Sequence, residues 1–210
     1  MPARNMPASS APTGGSAPGA TPAPAVPGFA LPPDAQAPIR AAHAPAPGTV
    51  LPHHYAQCYA CGEAQEAGLH LVPTAGEGVT LTGELLVTEA HQGAPGLAHG
   101  GLIATAFDET LGFLLWLLAL PAVTAKLETQ YRAPVPIGHR LHIAAECTGV
   151  AGRKVYTYGQ ARLDGPDGPV VADASGLFVV VPVEHFTRHA PAGALARMGR
   201  LAEQGPGYNP

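Results

Sequence analysis

Charge is scarce in this sequence: only 12% of the residues are Asp, Glu, Lys or Arg, and the formal net charge is −4. Lys and Arg are scattered, with no basic stripe of the kind a nucleic-acid backbone demands, so nucleic acid is a poor partner. Cysteine is scarcer still. Three thiols cannot close a set of disulfides, and two of them stand as Cys58-x-x-Cys61, a usage that fits a reducing cytoplasm. No long apolar run is present. The most apolar stretch, Leu111 to Val123, is 13 residues directly behind Asp108 and Glu109; a membrane span needs roughly 20, so a buried helix is expected instead. The amino terminus has Arg4 but no apolar run behind it, and its prolines would interrupt a signal-peptide core.

What is abundant is proline, and it is unevenly placed. The first fifty residues hold twelve of the 24 prolines and three charged residues, amid alternations of Ala, Pro, Gly and Ser. Such a stretch has too little apolar surface to offset its ordering entropy, so residues 1–50 are expected to be a disordered arm. Residues 51–186 then form one domain, and residues 187–210 a tail whose segment 192–203 has some helical character.

Periodicity divides the domain. Gly68–Val72 and Val79–Val87 read as strands of an opening hairpin, turning at Ala75–Gly78. After a loop at Gln92–His99, the stretch Gly101–Leu120 carries Leu102, Ile103, Ala106, Phe107, Leu111, Leu114 and Leu115 at helical spacing. From Val123 the period becomes two, with Val123, Ala125, Leu127, Thr129 and Tyr131 alternating with polar neighbours. The same pattern recurs through Leu141–Cys147, Val155–Leu163 and Val170–Val181. The predicted class is α+β: one long helix against five or six antiparallel strands.

Two features carry chemistry. His99-Gly100-Gly101 stands where a tight loop becomes the start of the helix, and a helix start offers unpaired N–H groups. With no side chains in the way, Gly100 and Gly101 let a substrate oxygen approach those donors, an oxyanion hole in outline; a plain glycine-rich helix start is the alternative. Asp108 and Glu109 lie among apolar helical residues, where a carboxylate is costly without partners or a function; solvation at an open end of the helix is the other reading. His99 and Asp108 are nine positions apart, about 13 Å along a helix, too far to serve one carbonyl within a chain. An antiparallel pair of helices from two subunits would bring them together, with two sites per dimer.

The run from His99-Gly-Gly-Leu-Ile-Ala-Thr-Ala-Phe to Asp108-Glu-Thr-Leu-Gly112 resembles the signature of PaaI-like and THEM4-like hotdog thioesterases. Gln92-Gly-Ala-Pro-Gly96 before it, Thr124-Ala-Lys-Leu, Tyr131-Arg-Ala-Pro-Val-Pro136 and Gly152-Arg-Lys-Val after it match in order and spacing, over residues 58–182. The resemblance implies a hotdog fold, a central helix wrapped by the sheet, in a homodimer or dimer of dimers that hydrolyses acyl-CoA without a cofactor. It implies Asp108 as the catalytic carboxylate, attacking the thioester or activating water, the Gly100 or Gly101 N–H as carbonyl donor, His99 as shaper of the turn and Thr124 as a holder of water. Glu109 stands where relatives carry a small residue, so the carboxylate role is open to it as well.

Coenzyme A phosphates would need cations, and Arg132, Arg153 and Lys154 at strand ends and turns are candidates, with Gln92 a further substrate contact. His53-His54-x3-Cys58-x2-Cys61 supplies one half of a zinc site; the other half is not evident, and an ordered loop without metal is the expectation. Rival functions are a hydratase, a non-catalytic acyl-CoA sensor and a zinc-dependent interaction module, which would hold stoichiometric metal. The hydratase would use Asp-x4-His, and no Asp here has His five positions later.

Overall fold

The computed structural model describes residues 29–189. Strands β1 (Val72–Ala75), β2 (Thr80–Leu86), β5 (Ala122–Tyr131), β6 (Arg140–Ala151), β7 (Lys154–Leu163) and β8 (Val170–Val180) form one antiparallel sheet in the order β1-β2-β6-β7-β8-β5. Between β2 and β5 come a single 3-10 turn (Glu89–His91), the small hairpin β3 (Gln92–Ala94) and β4 (Leu97–Ala98), and helix α1 (Gly100–Leu118). The chain thus leaves β2 near one edge, passes through α1 and re-enters the sheet at the opposite edge. The predicted α+β class and strand count are what the structure has.

α1 is held by packing rather than propensity. Phe107, Leu111, Leu114, Leu115 and Leu117 are fully buried against the sheet, among Leu81, Leu141, Ile143 and Val155. Each such side chain contributes roughly 1.5–3 kcal/mol, which outweighs the roughly 1 kcal/mol cost of a glycine such as Gly112 inside the helix. Two sheet glycines let the helix approach closely: a Cβ on Gly83 would lie 2.5 Å from the Thr110 Oγ1, and one on Gly176 would lie 3.2 Å from a Leu111 methyl. By length and composition α1 is long and apolar enough to cross a membrane, but its apolar faces are buried inside the domain, as a core helix requires.

The opening hairpin is displaced from the sequence expectation. Leu69 and Leu71 are buried but not in a strand: His70 between them has φ 47°, and their N–H groups donate to the carbonyls of Tyr59 and Ala60. Burial alternating over a few residues reads as a strand even when irregular chain produces it. The true β1 starts at Val72, pairing with Glu84.

The expected arm at 1–50 is also corrected, over residues 29–50. Gln36 and Val150 exchange both backbone hydrogen bonds, and Arg40 donates to the Gly76 carbonyl at 2.8 Å. The Ala41 N–H satisfies the carbonyl of Leu117, one of those a helix end leaves unpaired. Thr49 and Leu51 then line the outer edge of β1. Apart from the Arg40 side chain, docking here runs largely through backbone groups, which composition does not register. Residues 1–28 lie outside the described residues, as does 192–203 in the expected tail; the short helix α2 (Glu184–His189) runs across the expected boundary at 187.

Deleting residues 1–48 should therefore lower the melting temperature. Loss of the six hydrogen bonds that Gln36, Arg40, Ala41 and Gly48 make with the helix, the strands and the β1–β2 turn, at roughly 1 kcal/mol each, corresponds to a fall of roughly 12–24 °C in a domain of this size. A thermal melt within 2 °C or so of the full chain would show that the docked segment contributes nothing.

Candidate active site

The hairpin β3–β4 delivers the chain to α1. Its turn at Gly96 (φ 77°) is closed by the Gln92 side chain, whose Oε1 accepts from the Gly96 N–H at 2.9 Å. His91, buried beneath it, accepts the Thr88 N–H at Nδ1 (3.0 Å) and places Nε2 3.1 Å from the Gly68 carbonyl, so the proton belongs on Nε2. Its carbonyl in turn takes the His99 N–H.

His99 is the N-cap of α1, and its Nδ1 accepts the Gly101 N–H at 2.9 Å. That cap separates the two glycines. Gly101 is engaged within the chain, whereas among the described residues nothing accepts the Gly100 N–H. Tyr131 fixes the turn from the other side by donating to the Gly100 carbonyl at 2.8 Å. Sequence reasoning missed His91 and Tyr131 as supports, because both act across the fold. The turn borders a cavity of about 520 Å³ lined by His99, Gly100, Ile103, Tyr131 and Pro134 among others.

Asp108 lies two turns further along α1, in a different cavity of about 280 Å³. Thr124 donates its hydroxyl to Asp108 Oδ1 at 2.8 Å, the pair that the sequence placed sixteen positions apart. A bulge at Ala125, between the pairs Thr124–Phe178 and Lys126–Leu177, shifts the register of β5 beside this contact. Phe113, Leu115, Trp116, Val123 and Phe178 supply an apolar wall. Burial pushes the Asp108 carboxyl above its ordinary value, the Thr124 hydrogen bond pulls it part of the way back, and the charge of Glu109 adds to the rise.

Glu109 does not share this environment fully. Its Oε1 is 3.1 Å from His54 Nδ1 and 3.7 Å from Cys58 Sγ, while Cys61 Sγ lies 3.3 Å from the same imidazole nitrogen. Cys61 holds the Cys58 thiol down to about 3 against the opposing effect of burial. Burial works against the charge of His54, but Cys58 and Glu109 outweigh it and raise the imidazole to about 10.

The candidate cations are scattered. Arg132 is ion-paired with Asp173, itself only 1% exposed, so its Nε is already committed. Arg153 donates to the Val180 carbonyl and sits with Lys154 at the exposed β6–β7 turn. The two cavities that hold Gly100 and Asp108 share no lining residue, so one chain does not bring these groups to a common point.

A single long helix wrapped by a six-stranded antiparallel sheet, with a glycine turn at its start and a carboxylate in mid-helix, defines the hotdog fold. Residues 95–168 match the family model of the thioesterase superfamily. A solved thioesterase superfamily protein is 29% identical with a TM-score of 0.55, covering 65% of this chain and 70% of that one. The E. coli PaaI protein shares the fold at 15% identity, TM-score 0.52, covering 57% of this chain and 85% of its own. An uncharacterized protein of Schizosaccharomyces pombe is 41% identical over 41% of this chain and 52% of its own length. An acyl-coenzyme A thioesterase THEM4 from Xenopus laevis is 36% identical over 42% of this chain and 39% of its own. The chain thus spans about half or less of the length of these curated relatives.

Proposed function

We propose that the protein hydrolyses acyl-CoA thioesters as a homodimer or a dimer of dimers, with Asp108 from one subunit and the Gly100 N–H from the other at each site. The observation that carries this reading is Asp108 itself: a carboxylate hydrogen-bonded by Thr124 within an otherwise largely apolar cavity. Resemblance to the named thioesterases supports the substrate class. The edge strand β5 supports the dimer. It pairs only with β8 among the described residues and leaves Thr124, Lys126, Glu128, Gln130 and Tyr131 exposed, an edge that a second copy would cover.

In this mechanism the acyl chain lies along Phe113, Trp116 and Phe178, and the thioester oxygen accepts from the partner's Gly100 N–H as charge develops on it. Asp108 takes a proton from a water held beside Thr124. The water oxygen bonds to the carbonyl carbon, the carbon–sulfur bond breaks, and the proton passes to the departing thiolate, leaving acid and CoA. Of the three candidate cations, Arg153 and Lys154 are exposed and, among the described residues, have no carboxylate partner, which suits them to the CoA phosphates.

A thiol-release screen over acyl-CoAs of graded size tests the reading. Turnover is expected on at least one acyl class, at kcat on the order of 1 per second or faster. Tight binding of acyl-CoA with no thiol released from any of them would make the protein a sensor instead.

A further inference from the structure

The lead into β1, residues 51–71, contains no helix or strand, yet Leu51, Ala60, Cys61, Leu69 and Leu71 within it are buried. A stretch of that length without regular structure is uncommon inside a compact domain unless something ties it down. Part of the tie is local. Cys58-Tyr-Ala-Cys61-Gly62 folds into a tight knuckle closed by the Gly62 N–H donating to the Cys58 carbonyl at 2.9 Å. Gly62 is required there, because a Cβ would lie 2.4 Å from the Ala56 carbonyl oxygen and 2.6 Å from the Cys58 backbone nitrogen. The knuckle points both thiols toward α1. There they meet His54 from the lead and Glu109 from the helix, with one ligand atom of each within 4.8 Å of all the others.

We propose that His54, Cys58, Cys61 and Glu109 bind one zinc ion, clamping the lead to α1. Zinc–sulfur bonds of about 2.3 Å and zinc–nitrogen or –oxygen bonds of about 2.0 Å place tetrahedral ligand atoms roughly 3.3–3.8 Å apart. Three of the six separations, 3.1 Å for His54–Glu109, 3.3 Å for His54–Cys61 and 3.7 Å for Cys58–Glu109, lie within about 0.2 Å of that range, and the others, all within 4.8 Å, need to close by about 1 Å at most. The donor set is chemically selective: two thiolates and an imidazole favour zinc over the hard cations magnesium and calcium. Four protein ligands close the coordination shell, so the ion is structural and supplies no activated water. The clamp also acts on the neighbouring cavity. His54 and Glu109 line it, the His54 ring packs edge-on to Phe113 at 6.1 Å, and Glu109 adjoins Asp108 in the chain. The adjacent carboxylates thus divide their tasks, Glu109 to the metal and Asp108 to the cavity.

This assignment does not depend on the proposed hydrolysis, and its test is read without substrate. Full-length protein, loaded with zinc and desalted, should hold about one zinc per chain by elemental analysis, as a closed four-ligand site does. Cys58→Ser/Cys61→Ser should fall below about 0.1, while Cys147→Ser, which alters a buried thiol on β6, should keep its zinc. Cobalt(II) in place of zinc should give the strong visible absorption of a tetrahedral thiolate site, a readout on wild-type protein that stands even if the cysteine variants fail to fold. Glu109→Gln should release zinc to a chelator at least about tenfold faster. Folded wild type that retains below about 0.1 zinc per chain after loading, or a double cysteine variant that retains a full equivalent, would overturn the site. An unchanged release rate in Glu109→Gln would overturn the four-ligand assignment.

Discussion

Asp108→Asn should lower acyl-CoA turnover by about 100-fold or more and at the same time raise the melting temperature at neutral pH. Both effects follow from the same burial. The carboxyl is raised above its ordinary value by desolvation, so the fold favours the protonated form. The stabilising contribution of that proton is fully present below the unfolded-state value and is lost as pH rises through the folded-state value. Above that window the ionised Asp108 costs stability, which a neutral Asn of nearly equal size avoids. The two proteins should melt alike in acid and separate as pH rises. Activity needs the ionised form, so the acid limb of kcat/KM should lie above the value of an ordinary aspartate. Thr124→Ala should move that limb higher still, because the Thr124 hydroxyl is the group that pulls the carboxyl down. Glu109→Gln is the comparison, with its side chain turned to His54 and Cys58. Lost activity in Glu109→Gln alongside near-normal activity in Asp108→Asn would reverse the assignment of the carboxylate.

The sequence showed the site best where periodicity and spacing are local. The helical repeat from Leu102 to Leu115 located α1, and the change to a period of two located β5, which set Thr124 on the polar side facing Asp108. Interactions at long range were hidden. The partner that completes the Cys58-x-x-Cys61 cluster is Glu109, 51 positions beyond Cys58, and no spacing rule connects a loop thiol to a mid-helix carboxylate. Tyr131 reaches the Gly100 carbonyl from the far end of β5, and Arg132 proves to be a counter-ion for buried Asp173, which an isolated cation in a sequence cannot reveal. The segment 29–50 shows the limit of composition. Proline and alanine give little apolar surface to bury, but Gln36 and Ala41 dock through backbone groups that every residue type except proline offers in full.

The central claim is that each active site is shared between two subunits, and mixing two inactive chains tests it most directly. Gly100→Pro removes an N–H of the turn that has no acceptor among the described residues. Proline is well tolerated at the first position of a helix, so α1 should still form. Some movement of Tyr131 is expected, since a Cβ at position 100 would touch its ring at 3.4 Å. Asp108→Asn removes the carboxylate. Each homodimer should be nearly inactive, yet a mixed dimer contains one site with the intact Gly100 of one chain and the intact Asp108 of the other. At random equimolar exchange half the dimers are mixed and each has one working site of two, so about a quarter of wild-type turnover should return. Heterodimers confirmed by native mass that remain as inactive as their parents would contradict the shared site.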